Sequence, residues 1–249
     1  MSSTLSERLL HKYYSGAVHP YRLFEQHAEA LMRPGMTLLD AGCGRSAPVL
    51  RKYLGRVQRL IGIDLVEFVD VAPGIETYNA DLGRLPLEDA SVDLIMSRSV
   101  FEHLADPQAV YAEMARVLKP GGTLIFLTAN LWDYGTLAAR LIPNRWHGRV
   151  VRYVEGRKEE DTFPTQYKTN TRGDIERLAR GSGLRLQSLD YLNQYPNYFM
   201  FNGALFFLGM CFERVTSRFD ALKLLRGWLL VTLVKPQAAA PSAPGGQGG

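Results

Sequence analysis

At 249 residues, 46% apolar and 22% charged, the chain has the composition of an ordinary globular protein, which excludes disordered, collagen-like and coiled-coil classes. Its only cysteines, Cys43 and Cys211, rule out a disulfide scaffold and a four-cysteine zinc site and suit a reducing compartment. A net charge of +4 admits an anionic partner without requiring nucleic acid, and the length fits one α/β domain with insertions as well as two small domains.

The N-terminal MSSTLSERLLHKYYSG has scattered charges and no apolar core, so no signal peptide is expected there and a cytoplasmic location is. Met36–Asp40 is the first short apolar run, and it ends in an acid. Pro48–Leu54 reads as a helix with proline in its first turn. Leu60–Asp64 is a second apolar run ending in aspartate, Ser91–Ser97 a third and Thr123–Thr128 a fourth. Between the last two, Val110, Met114, Val117 and Leu118 form a helical stripe within Pro107–Leu118. Lys119-Pro120-Gly121-Gly122 is expected to stop that helix and turn into the next strand. Apolar strands alternating with helices predict parallel βαβ units in a doubly wound sheet.

The last third breaks the alternation. Thr171–Gly181 reads as a helix capped by Thr171 or Asp174, and Leu184–Leu192 and Gly227–Val234 read as strands. Residues 129–170 look like an insertion over the sheet, and from Arg140 to Lys158 they carry six cations against Glu155. Trp132, Tyr134, Trp146, His147 and Tyr153 are interleaved there, a mixture suited either to an anionic acceptor or to a solvated basic face. His147 and Tyr167 are second-choice bases. The run Tyr198–Phe212 is apolar nearly all round, at 15 residues too short for the roughly 20 that span a bilayer. It suits either buried core or a helix lying on a membrane or a lipid-linked acceptor, assisted by Arg214, Arg218, Lys223 and Arg226. The Pro/Gly/Ala-rich residues 236–249 read as a disordered tail.

Ligands of an open parallel sheet sit beyond the carboxyl ends of its strands. After the first run stands Asp40-Ala41-Gly42-Cys43-Gly44-Arg45-Ser46-Ala47, where two glycines permit a tight turn and close approach to the backbone. Asp64 ends the second run, 20 residues after Gly44, and suits a pair of ribose hydroxyls. Gly42-x-Gly44-x-x-Ala47 also satisfies a relaxed dinucleotide fingerprint, so a nicotinamide oxidoreductase is the alternative. Asp40 discriminates. A carboxylate aimed at the glycine turn repels a pyrophosphate and attracts an ammonium, and S-adenosylmethionine carries an ammonium, a sulfonium, a ribose and an adenine.

LLDAGCGRS at 38–46 resembles the first motif of class I S-adenosylmethionine-dependent methyltransferases. ADLGRLPLEDASVDLIMSRSVFEHLADPQAVYAEMARVLKPGGTLIF at 80–126 is similar to the motifs that follow in the small-molecule, ubiquinone-biosynthesis-like branch. The resemblance implies a doubly wound, mostly parallel seven-stranded Rossmann-like sheet ending in an antiparallel hairpin. It implies a helical cover at 1–35, a domain at 36–235 and acceptor-side insertions at about 129–170 and 196–226. It places the methionine moiety at Gly42 and Gly44 with its ammonium near Asp40, the ribose at Asp64, the adenine at Asp81 and Leu82, and Ser97 at the methionine end. The acceptor would be a small, glycosyl or lipid-like molecule. Within Ser99-Val100-Phe101-Glu102-His103-Leu104, His103 is the candidate base, because imidazole titrates near neutrality in water, or else it begins a helix. Glu102 is the candidate to orient it. Related O-methyltransferases that bind a metal carry a further Glu where this chain has Ser99, so no metal is expected. A non-catalytic scaffold is the third alternative, and no nucleic-acid module is recognised.

Overall fold

The computed structural model describes residues 4–141 and 163–237. Seven strands form one sheet: β1 (Thr37–Ala41), β2 (Arg59–Asp64), β3 (Ile75–Asn79), β4 (Val92–Arg98), β5 (Leu118–Ala129), β6 (Arg185–Leu192) and β7 (Trp228–Val234). Their order is β3-β2-β1-β4-β5-β7-β6. All pairings from β3 to β5 are parallel, whereas β7 runs antiparallel to both β5 and β6. This is the doubly wound sheet with a terminal antiparallel hairpin that the motifs imply.

The central strands read as continuous apolar runs because both faces are covered. Alternate residues of β1 show it. Leu38 packs with Phe24 and Ala28 of α2 (Pro20–Leu31) and with Leu60 and Leu94. Leu39 points the other way, into a cluster with Ile61, Ile95, Phe126 and Met114 of α3 (Pro107–Val117). Burying each such Leu or Phe is worth about 1.5–3 kcal/mol. Helix α3 starts where Asp106 accepts the Ala109 amide at 3.1 Å, with Pro107 in the first turn. Its Tyr111 closes an aromatic cluster in which Phe101 and Phe126 stack at 4.0 Å. The remaining helices among the described residues are α1 (Leu5–Tyr14), α4 (Tyr134–Leu141), α5 (Arg172–Gly181) and α6 (Gly203–Arg218).

Several expectations are corrected. Pro48–Leu54 does not form an α-helix: only Leu50–Tyr53 winds, as a 3-10 turn whose Leu50 and Tyr53 are fully buried. Strand β3 has no counterpart among the apolar runs. It is the sheet edge, its sequence IETYN is largely polar, and it pairs through its backbone with β2. Lys119–Gly122 lies inside β5 as an irregularity: Leu118 pairs with Val92, pairing with β4 resumes at Thr123 opposite Leu94, and Gly121 holds φ +81°. Of the two caps offered for α5, Thr171 serves, accepting the Asp174 amide at 3.2 Å. Most of the basic-aromatic stretch 140–158, His147 included, and nearly all of the expected tail lie outside the described residues.

Helix α6 is neither all core nor all surface. Phe206, Gly209, Met210, Glu213 and Thr216 form one buried stripe at helical spacing, while Leu205, Phe207, Leu208 and Val215 are exposed. Among the described residues no helix is long and apolar enough to cross a membrane.

Candidate active site

The carboxyl ends of β1, β2 and β4 converge, and the residues between them set the site. Gly42 and Gly44 hold φ of +84° and +74°, which a side chain rarely adopts. A Cβ on Gly42 would fall 2.3 Å from Val100, so glycine is required by close packing there. A Cβ on Gly44 would meet nothing within 4 Å, which leaves an open cradle on the bend. Asp64 closes the bend. One of its carboxylate oxygens accepts the Gly44 amide at 2.7 Å and the other accepts Val66 at 3.2 Å. Its remaining lone pairs are available to further donors.

Asp40 is 3% exposed. Burial raises its pKa to about 7, Arg98 opposes the rise and Asp64 adds to it. Two carboxylates therefore flank the glycine bend closely enough to feel each other. Arg98 is the cation nearest in chemistry, but it is held elsewhere. Its guanidinium lies 4.3 Å from the centre of the Tyr21 ring and donates to Glu25 at 3.1 Å. Tyr21 reaches the same region through its hydroxyl, 2.9 Å from Ser99 Oγ. Ser99 has φ +57°, an uncommon conformation for a residue with a side chain. Sequence reasoning missed Arg98, Tyr21 and Glu25. A charge placed directly after the apolar run of β4 was the one available signal.

The other expected residues fall as follows. Ser97 is fully buried, and its hydroxyl donates to the Ala41 carbonyl at 2.6 Å, tying β4 to β1 at the bend. Asp81 is exposed and accepts the Gly83 amide at 2.6 Å. Leu82 is buried in the α3-side cluster. Glu102 is 6% exposed and accepts the Thr128 hydroxyl at 2.7 Å, while its backbone carbonyl receives the Gln166 and Tyr167 amides. Phe101–His103 forms a single 3-10 turn rather than the start of a longer helix. His103 ends that turn, with Nδ1 at 3.3 Å from the Pro164 carbonyl. Tyr167 has φ +52°. Among the described residues no group of His, Cys, Asp and Glu is arranged to hold a metal.

Residues 39–126 match a family model described as "Methyltransferase domain". Over 104 residues the chain is 36% identical to a probable S-adenosylmethionine-dependent methyltransferase of Mycolicibacterium smegmatis, covering 39% of each chain. It is 40% identical over 143 residues to a malonyl-[acyl-carrier protein] O-methyltransferase of Hahella chejuensis, covering 51% of this chain and 44% of the other. The chain thus spans less than half the length of these curated relatives. Among solved structures, a putative methyltransferase from Bacillus halodurans superposes with a TM-score of 0.55 at 16% identity, over 88% of this chain and 99% of that one. Residues 39–126 are therefore similar to the methyltransferase-domain family, within a chain whose fold is the Rossmann-like one of that solved neighbour.

Proposed function

We propose that this protein transfers a methyl group from S-adenosylmethionine to oxygen on a small apolar or lipid-like acceptor. A fold alone does not set a reaction, so the proposal rests on the site. Its carrying observation is the pair of carboxylates, Asp40 and Asp64, on either side of an open glycine cradle. That pair of acceptors fits a cationic amino acid and a ribose, and it repels a dinucleotide's pyrophosphate.

In this reading Asp40 holds the ammonium group, Gly42 and Gly44 admit the methionine chain, and Asp64 takes the ribose hydroxyls. Asp81 and Leu82 receive the adenine, and Ser97 fixes the floor of the methionine end through its bond to Ala41. When bound, S-adenosylmethionine supplies a methyl carbon already activated by its sulfonium. The chain's own task is then alignment, which is worth up to about 7–11 kcal/mol in model reactions. In the same reading His103 is the base that takes the acceptor's proton, and oxygen is the target atom. The O-methyltransferase relative supports that atom. Glu102 is a positioning residue: buried and bonded to Thr128, it seats the turn that carries His103. The exposed apolar side chains of α6, with Arg214 and Arg218 beside them, support peripheral contact with an anionic lipid surface or a lipid-linked acceptor.

Titration calorimetry with S-adenosylhomocysteine and with NADH tests the cofactor. The expected result is saturable binding of the first alone, weakened at least tenfold by Asp64→Ala. Binding of NADH, or an Asp64→Ala variant with undiminished affinity, would overturn the reading.

A further inference from the structure

A cavity lined by none of the glycine-bend residues lies elsewhere in the molecule. It has a volume of about 700 Å³ and sits between α1, the loop that follows it, residues 193–195 and α6. Leu10, Ala17, Val18 and the Tyr14 and Tyr195 rings make its walls mostly apolar. Two buried polar atoms of its lining residues have no hydrogen-bond partner among the described residues: the Tyr14 hydroxyl and Glu213 Oε2. Glu213 as a whole is only 7% exposed, and its other oxygen accepts the Tyr134 hydroxyl at 3.3 Å. A buried polar group without a partner costs about 1–3 kcal/mol. Both oxygens are closed off from solvent, so the cavity's own surface is set by its apolar walls and its arginines.

Charge adds a direction. Burial first, then Asp133, raises the Glu213 pKa to about 8, so near neutrality it is mostly a neutral acid able to donate. Burial, with Glu213 next, likewise keeps the Tyr14 hydroxyl protonated, raising its pKa to about 12. Arg214 and Arg218 line the same cavity, both exposed, and neither forms an ion pair with a described residue. Arg214 packs 4.6 Å from the centre of the Tyr13 ring. The cavity is thus mostly apolar within, and has two arginines among its lining residues.

We propose that this cavity binds an apolar organic acid, its body between α1 and α6 and its anionic group toward Arg214 and Arg218. The site goes beyond the methyl-transfer reading and does not depend on it.

Titration calorimetry with submicellar dodecanoate, and with dodecyltrimethylammonium as its charge-reversed counterpart, tests the site on the full chain. One dodecanoate per chain is expected, bound at least tenfold more tightly than the cation. Leu10→Trp, which fills the cavity, and the double variant Arg214→Glu/Arg218→Glu are each expected to weaken dodecanoate at least tenfold. Leu208→Glu, on the exposed face of α6, should leave it unchanged. Thermal melts confirm that each variant is folded, and the arginine variant keeps the test decisive if Leu10→Trp is not. Equal affinity for the two amphiphiles, unchanged binding by the arginine variant, or loss of binding in Leu208→Glu would overturn the proposal. S-adenosylhomocysteine is titrated into the same samples, so failure of the cofactor reading shows separately.

Discussion

Asp40 combines a buried carboxyl with a bend built to admit a cation, and its ionisation makes that combination measurable. Its folded pKa, about 7, lies above the ordinary carboxylate value because burial disfavours the charged form. A raised folded pKa means that the stability it contributes is complete below the unfolded pKa and is lost as pH rises through about 7. The cost of ionisation is at most about 4 kcal/mol, since each tenfold change in an ionisation constant is worth roughly 1.4 kcal/mol. Asp40→Asn should therefore raise the melting temperature at pH 8 and raise it less at pH 5, as read by circular dichroism. A bound ammonium reverses the preference. S-adenosylhomocysteine should bind more tightly at pH 8 than at pH 6, with proton release at pH 6 seen by calorimetry in buffers of different ionisation enthalpy. Asp40→Asn should abolish that release, and its persistence would move the proton to another group.

Among the helices and strands, the sequence was most legible where local chemistry and tertiary environment agree. Helix α3 is such a case. Asp106, Pro107 and the Val110–Met114–Val117 stripe specify start, face and length together. Asp106→Ala should cost about 1 kcal/mol in urea denaturation through loss of the cap alone. Pro48–Leu54 shows the opposite. Its residues permit a helix, but Leu50 and Tyr53 are drawn fully into the α2-side core, and only a 3-10 turn reaches. Strand β3 was invisible because edge pairing is made by the backbone, and IETYN carries no buried run to betray it. Helix α6 was ambiguous because both its buried stripe and its exposed face are apolar. The exposed side carries a prediction of its own. If it meets lipid, vesicles rich in anionic phospholipid should co-float with the protein, and Phe207→Glu/Leu208→Glu should end that association.

Over the full chain, Glu25 ties three elements at one point. From α2 it accepts Lys52 of the 3-10 turn at 2.7 Å, Arg98 at the end of β4 at 3.1 Å, and Arg22 at 3.4 Å. Burial acts to raise its pKa, but hydrogen bonds and charge from Lys52, then Arg98 and Arg22, outweigh it and hold the carboxyl below its ordinary value. Such a group stabilises the fold above the unfolded pKa, and that stability is lost as pH falls through the folded one. Glu25→Gln should therefore destabilise the protein at pH 7 by about 1–3 kcal/mol. The deficit should shrink in acid, where the wild-type carboxyl is also neutral. The same change releases Arg98 toward Asp40, so affinity for S-adenosylhomocysteine should fall although Glu25 is not assigned to the cofactor. Unaltered affinity would show that Tyr21 alone restrains the guanidinium.

Consecutive residues are enough to specify the parallel core and the glycine bend. Apolar runs buried on both faces, and acids at their ends, are written locally, and Asp40, Gly42, Gly44 and Asp64 needed no distant partner to be noticed. Three-dimensional packing is what settles which groups are left without bonds and which are drawn off by others. Arg98 is kept by Glu25 and Tyr21, and the Ser97 hydroxyl is committed to Ala41. Tyr14 and Glu213, 199 positions apart in sequence, line one cavity together with Arg214 and Arg218. Those relations depend on burial and on distances between remote segments, and local residue patterns carry neither.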